Sequence, residues 1–256
     1  MRKSALMILA TLAAAELWAV QGKLTTEQET LSGDIRWQAR NKQYIVSVKK
    51  GKTMLDMERK LEDVVSIDIA KPEALDKAIA QVESGDGAVA VPTLEKLVEE
   101  YRMLQWDKPA GRYLALAYLA AGDAQKALSA CEAIVKDDKT AAYSGDLAAA
   151  YWQALLKLGK NDKLEPLLKK AATSGDRRAS AAALVMRGDI IVAAANDDPE
   201  QLRKALSDGY MRVVLMYQDE ACTRERAEAL SKAAQVFDKL GQGARAEKLR
   251  AQAKMM

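Results

Sequence analysis

The sequence predicts a mainly α-helical protein: an α-solenoid of about five antiparallel helical hairpins, with a small antiparallel β module before it. Three observations carry this. From Pro72 to the C-terminus no period-two pattern occurs, while helix breakers recur at hairpin spacing. Gly122 and Gly159 stand 37 residues apart, Asn196 follows after another 37, and Gly241 lies 82 beyond Gly159, as turn residues do in a repeated helix–turn–helix unit. Between residues 30 and 69, four short runs alternate apolar and polar side chains.

In chain order, the N-terminus has the pattern of an export signal. Arg2 and Lys3 form a basic start, an apolar run extends from Ala5 to Ala15, and Glu16-Leu17-Trp18-Ala19 closes it with a small residue at the expected cleavage point. The run is shorter than the roughly 20 residues that span a bilayer. The competing reading is a first amphipathic or buried helix. No later segment is a transmembrane candidate. Residues 1–19 are thus read as a signal peptide and 20–28, which are polar, as a linker.

Residues 29–70 are read as the β module. Its strands are expected at Thr30–Trp37, Gln43–Lys49, Thr53–Glu58 and Val64–Ile69, with Gly51 in a tight turn. Four short strands with close turns suit a meander of SH3-like or Sm-like type. Asn41, Lys42, Lys49, Lys50 and Lys52 place positive charge on its turns, where solvated charge is the rule. Trp37, beside Arg36 and Tyr44, is either core or the centre of a binding surface formed by these three residues.

Residues 72–256 are read as ten helices in five pairs: 72–83 with 91–106, 108–121 with 124–136, 141–159 with 161–173, 177–195 with 199–217, and 221–240 with 243–255. Pro72 opens the first, where its missing N–H costs nothing. Hydrophobic residues make up 49% of the chain but aromatics only 5%, so much of the apolar set is alanine, which favours helices packed close together.

Composition also excludes function classes. The chain has no histidine, which removes histidine acid–base catalysis, Ser-His-Asp and Cys-His nucleophiles, and His-ligated zinc. Lys+Arg at 39 against Asp+Glu at 36 gives a formal charge of +3, too even for a nucleic-acid-binding surface. Cys131 and Cys222, far apart in different hairpins, cannot form a four-ligand thiolate site or a redox CxxC pair; free buried thiols are favoured over a disulfide between them, which export would permit, and their bonding stays open at this point. Asp137-Asp138 and Asp197-Asp198 sit at helix ends, where aspartate caps. Arg177-Arg178 and Arg224-Glu225-Arg226 read as solvated helix faces. No catalytic residue, metal or cofactor is expected.

The residues around the turns carry a resemblance. Leu114-Ala115-Leu116-Ala117-Tyr118-Leu119-Ala120-Ala121-Gly122, followed by Ala127, has the large–small–aromatic–glycine–small order of a tetratricopeptide repeat (TPR). Ala234-Gln235-Val236-Phe237-Asp238-Lys239-Leu240-Gly241 with Ala246 repeats it, and Leu155-Leu156-Lys157-Leu158-Gly159 with Leu164 is a looser copy. The hairpins at 72–106 and 177–217 match least. The whole resembles exported bacterial tetratricopeptide proteins with a small N-terminal β module. That resemblance implies a non-catalytic adaptor or scaffold in the cell envelope, periplasmic or secreted, that binds other proteins through the groove lined by the first helix of each pair. Aligned on the turn residues, Arg112, Leu116, Gln153, Lys157, Ser231 and Gln235 are expected to face that groove. The carboxylate clamp of some family members is not expected, because Lys157 lacks the accompanying asparagines. The rival readings are a self-assembling structural protein and an enzyme that works without histidine. Nucleic acid is not expected as a partner.

Overall fold

The computed structural model describes residues 19–256, in two compact units that divide after Ala70. The expected export segment lies outside the described residues, apart from its last residue, Ala19.

The first unit is a five-stranded antiparallel sheet in the order β4-β3-β2-β1-β5. The strands are β1 (Val20–Thr26), β2 (Thr30–Gln38), β3 (Gln43–Lys50), β4 (Thr53–Lys60) and β5 (Val64–Ile69), with a 3-10 turn at Leu61–Asp63 before the last. The four expected strands are present to within two residues. The expected linker at 20–28 is not a linker: Val20–Thr26 is a strand, placed in the sheet by pairing with β2 on one side and β5 on the other. The register sets Leu24 opposite Leu31, Ile35 opposite Val46 and Trp37 opposite Tyr44, so one face is apolar, and these residues are buried. On the other face Arg36 donates to Ser47 Oγ at 3.0 Å and to Asp56 at 2.7 Å.

The second unit is helical throughout. Its helices are α1 (Glu73–Glu83), α2 (Gly87–Glu100), α3 (Asp107–Ala120), α4 (Ala124–Asp137), α5 (Ala148–Lys157), α6 (Asn161–Thr173), α7 (Arg177–Ala194), α8 (Pro199–Ala205), α9 (Met211–Met216), α10 (Thr223–Lys239) and α11 (Gly243–Lys254). They form five hairpins: α1/α2, α3/α4, α5/α6, α7 with α8–α9, and α10/α11.

Four of the first helices end alike. After α3, Gly122 N–H bonds to Leu119 O and Asp123 N–H to Tyr118 O. The same two bonds close α1 at Gly85, α5 at Gly159 and α10 at Gly241. All four glycines have φ between +65° and +94°, with nothing within 4 Å of where a Cβ would stand. Glycine is required there by backbone angle, as in a Schellman cap. Asn196 ends α7 at φ +45°. Gly85 lies 37 residues before Gly122, which extends the repeat into the first hairpin. Five residues after each turn glycine stand Ala90, Ala127, Leu164 and Ala246, all fully buried. The interval from Asn196 to Gly241 is 45 residues, so the added length falls in the fourth hairpin. There a π-helical turn, Leu206–Tyr210, separates α8 from α9. It lets two helices touch backbone to backbone: a Cβ on Gly209 would lie 2.7 Å from Gly188 Cα.

Three expected helix boundaries are corrected. α2 begins at Gly87 rather than 91 and carries Pro92 inside it, at the cost of one hydrogen bond. It stops at Glu100 rather than 106, because Met103 and Gln105 take positive φ. The single helix expected over 141–159 is broken at Gly145 (φ +77°), leaving a 3-10 turn at Lys139–Ala142 and α5 from Ala148.

Two packed cores hold the array. One surrounds Leu128, Trp152, Leu155 and Leu164, and the other Leu202, Val213, Leu230 and Ala233. Trp152 is fully buried and its indole N–H donates to Ala142 O at 2.8 Å, so the ring is core, not a ligand platform. Cys131 and Cys222 are free thiols in different cores. Burial pushes their pKa up to about 12 and about 11.

Candidate functional site

The first helices of successive hairpins pack side by side: α1 on α3, α3 on α5, α5 on α7, and α7 on α10. The second helices pack mainly on the first helices before and after them, α2 on α3, α4 on α5 and α6 on α7. One layer is therefore closely stacked and the other splayed, so the array curves with α1, α3, α5, α7 and α10 on the inside. The splay opens clefts on the outside. One, of about 450 Å³, is lined by Leu168 of α6, Leu184 and Ile191 of α7, and Lys204 of α8. Another, of about 440 Å³, lies between Val98 of α2 and Ala130 of α4, over Leu114 and Tyr118.

The six residues expected to face the groove fall on the inner helices in pairs one turn apart: Arg112 and Leu116 on α3, Gln153 and Lys157 on α5, Ser231 and Gln235 on α10. Lys157, Ser231 and Gln235 are exposed; Arg112, Leu116 and Gln153 are half-buried. Leu116 leans on the first core. None of the six lines the outer clefts described above.

The inner helices also bring together charges whose grouping the sequence did not reveal. Asp146, just before α5, lies 3.1 Å from Arg178 of α7 and 3.6 Å from Arg224 of α10. Arg224 lies 2.6 Å from Glu225, whose carboxylate is also 3.7 Å from Arg178. Three inner elements are thus joined through two carboxylates and two guanidinium groups. Arg178 and Arg224 each occupy the second position of their helix, 18 residues before Asn196 and 17 before Gly241. That shared place in the unit was the available signal; read as isolated charge runs, both looked merely solvated.

A second cluster links α7, the π turn and α10. Tyr210 donates to Asp189 at 2.7 Å, and Lys232 lies 2.5 Å from Asp189 and 2.8 Å from Glu228. Burial pushes the Asp189 carboxyl above its ordinary value, more than Lys232 and the Tyr210 hydroxyl lower it.

The β-module surface expected from Arg36, Trp37 and Tyr44 does not exist as one surface. Neighbouring strand residues point to opposite faces, so Arg36 joins Ser47 and Asp56 while Trp37 and Tyr44 are buried, their rings 4.8 Å apart. The aspartate pairs serve helix ends and ion pairs: Asp138 accepts from Thr140 N–H and Asp198 from Glu200 N–H, while Asp137 pairs with Arg102 and Asp197 with Lys239. Among the described residues no group of three or more Cys, Asp or Glu could hold a metal ion, and no helix is long and apolar enough to cross a membrane.

No family model and no curated protein matches the chain. Two solved structures of a kinesin light chain-type protein from Podosopora anserina, one of them a variant and both described as nearly identical TPR-like repeats, are similar to it. Each has 18% identity over 71% of this chain and 92% of its own, with TM-scores of 0.41 and 0.42.

Proposed function

We propose that this protein is a non-catalytic adaptor that holds partner proteins along the inner face of a tetratricopeptide-type array. The observation that carries this reading is the stack of five inner helices with Arg112 and Leu116 on α3, Gln153 and Lys157 on α5, and Ser231 and Gln235 on α10, each pair one turn apart. Such a surface is formed before the partner arrives, so binding costs little ordering entropy. Export to a bacterial cell envelope, periplasmic or secreted, belongs to the same reading. It rests on the N-terminal signal pattern, and cleavage after Ala19 would leave β1 whole. The first unit is read as SH3-like, because a four-strand meander is followed by a 3-10 turn and a fifth strand that returns beside β1.

The test is capture from envelope extracts on immobilised protein beginning at Val20. A defined partner should be retained by the parent and released by the double variant Gln153→Ala, Lys157→Glu. Undiminished retention would refute the inner-face assignment. A second reading, self-assembly through sheet edges, draws on Met54 and Leu55 of β4 and Val65 of β5, all exposed on the two outermost strands. Light scattering that gives a monomer mass at all accessible concentrations excludes it.

A further inference from the structure

In the first unit, β3 and β4 run on together past their neighbour. β2 pairs with β3 only as far as Ser47, whereas β3 and β4 stay paired out to Lys50 opposite Thr53. Residues 48–55 are therefore a two-stranded hairpin that projects beyond β2, turned at Gly51 (φ +67°). The register puts a lysine and an apolar side chain on each of its faces. Lys49 stands opposite Met54 on one face. On the other, Val48 stands opposite Leu55, and Lys50 follows one pair further out. Lys52 sits in the turn. All three lysines are exposed, as are Met54 at 52% and Leu55 at 43%.

The charge of this tip is not balanced. Among the described residues none of Lys49, Lys50 and Lys52 belongs to an ion pair. The acid that shares a face with Lys49 is Asp56, and both of its oxygens are engaged, one by Ser47 Oγ at 2.6 Å and the other by Arg36 at 2.7 Å. Glu58, the next acid along β4, stands opposite Ile45, back within the sheet. Exposed apolar side chains on an edge strand and a knot of unpaired cations are each a liability in water. One environment relieves both at once.

We infer that this hairpin docks the protein on an anionic lipid surface, with Lys49, Lys50 and Lys52 among the headgroups and Met54 and Leu55 reaching into the boundary with the acyl chains. Anionic headgroups attract the ammonium groups. The long lysine stems keep the charge in the headgroup layer while the apolar side chains beside them go deeper. A nucleic acid fits less well. It would leave Met54 and Leu55 in water, and residues 48–55 offer neither an arginine fork for a phosphate nor an aromatic ring for a base. A second copy of the hairpin fits less well too, because edge-to-edge pairing would bring the lysines of both copies together. The inference concerns the first unit and stands apart from the inner-face reading.

The test is co-sedimentation with vesicles, on protein beginning at Val20 so that the apolar run from Ala5 to Ala15 cannot contribute. Vesicles of equimolar phosphatidylglycerol and phosphatidylcholine should retain the protein, and pure phosphatidylcholine should not. Retention should fall as NaCl rises from about 0.1 M to about 0.5 M. Each lysine should contribute about fivefold, so Lys49→Gln, Lys50→Gln, Lys52→Gln together should lower partitioning about 100-fold. Met54→Ser with Leu55→Ser, which leaves the charge unchanged, should lower it at least about fivefold. Lys248→Gln on α11 should change nothing. Thermal melting of each variant at the parent temperature shows that the fold is intact. As a second readout, a Leu55→Trp variant should be quenched by brominated acyl chains in anionic vesicles more than the parent is. Absence of binding to anionic vesicles, equal binding to phosphatidylcholine, or undiminished binding by the lysine variant overturns the inference. So does loss on the lysine variant with no effect of the serine changes and no quenching at position 55, which would mark a site for soluble polyanions. If the serine changes instead lower the mass found by light scattering and leave vesicle binding as it was, the hairpin pairs copies of the chain and the lipid assignment fails.

Discussion

The inner and outer layers of the helical unit are built from the same repeat yet differ in kind. Inner helices touch one another, and their shared face is polar, with charges joined across hairpins at Asp146, Arg178, Arg224 and Glu225. Outer helices are spread apart, and the cleft between α6 and α8 is lined largely by aliphatic side chains such as Leu168, Leu184 and Ile191. Where the outer helices diverge, apolar flanks that a flat stack would cover remain partly open. Ion pairs cross both layers, between Asp146 and Arg178 inside and between Arg102 and Asp137 outside, so the difference lies in how closely the helices stack.

The contrast can be broken or sharpened by substitution. The largest effect is expected at the core that joins the layers: Trp152→Ala should cost about 3–5 kcal/mol in chemical denaturation, against about 1–2 kcal/mol for the half-buried Leu168→Ala in the outer cleft. Equal losses would mean that the outer cleft is as well packed as the core. Next comes the backbone contact in the fourth hairpin. Gly209→Ala should destabilise by about 1–3 kcal/mol, because the new methyl meets Gly188 at 2.7 Å.

Asp176 gives a smaller, pH-dependent effect. It caps α7 through Ala179 N–H at 3.0 Å and holds Ser144 Oγ at 2.7 Å, tying the third hairpin to the fourth. Burial alone would raise its carboxyl. The bonds from Ala179, Ser144 and Gly145 together outweigh burial and hold it below the usual carboxylate value. A depressed acid stabilises the fold above its unfolded pKa of about 3.9 and loses that contribution as pH falls through the folded value. Asp176→Ala should therefore cost about 1–2 kcal/mol at pH 7, and the gap between parent and variant should narrow as pH falls through the folded pKa of Asp176. A gap that persists in acid would show that the carboxylate charge is not the source. The smallest effect concerns the thiols. At pH 8 a thiol reagent should leave Cys131 and Cys222 unmodified in the folded protein and react with both in guanidinium. Fast reaction of either one would place it nearer the surface than the two cores allow.

What the sequence revealed follows what each feature writes into residue types. Turn glycines at a 37-residue spacing announce the hairpins because only glycine tolerates the left-handed angle cheaply. β2 to β5 alternate visibly. β1 does not, since Gly22 stands where its apolar stripe needs a side chain: a Cβ there would come within 2.6 Å of Ile69 and 2.8 Å of Asp68 O. Close packing thus removed the very signal that marks a strand. Pro92 hid the start of α2 by resembling a first-turn proline. The six groove residues could be placed on inner helices by alignment alone. The charge cluster could not, because it depends on α5, α7 and α10 meeting, and Arg178 and Arg224 carry no local mark of that meeting.

The most direct test of the central claim compares the two layers in one measurement. A photo-activatable benzoylphenylalanine replaces Ser231 on the inner helix α10 or Leu168 on the outer helix α6, and each protein is irradiated in envelope extract. A discrete crosslinked partner is expected from the Ser231 position and none from Leu168. Crosslinking from Leu168 alone would contradict it and move recognition to the outer clefts.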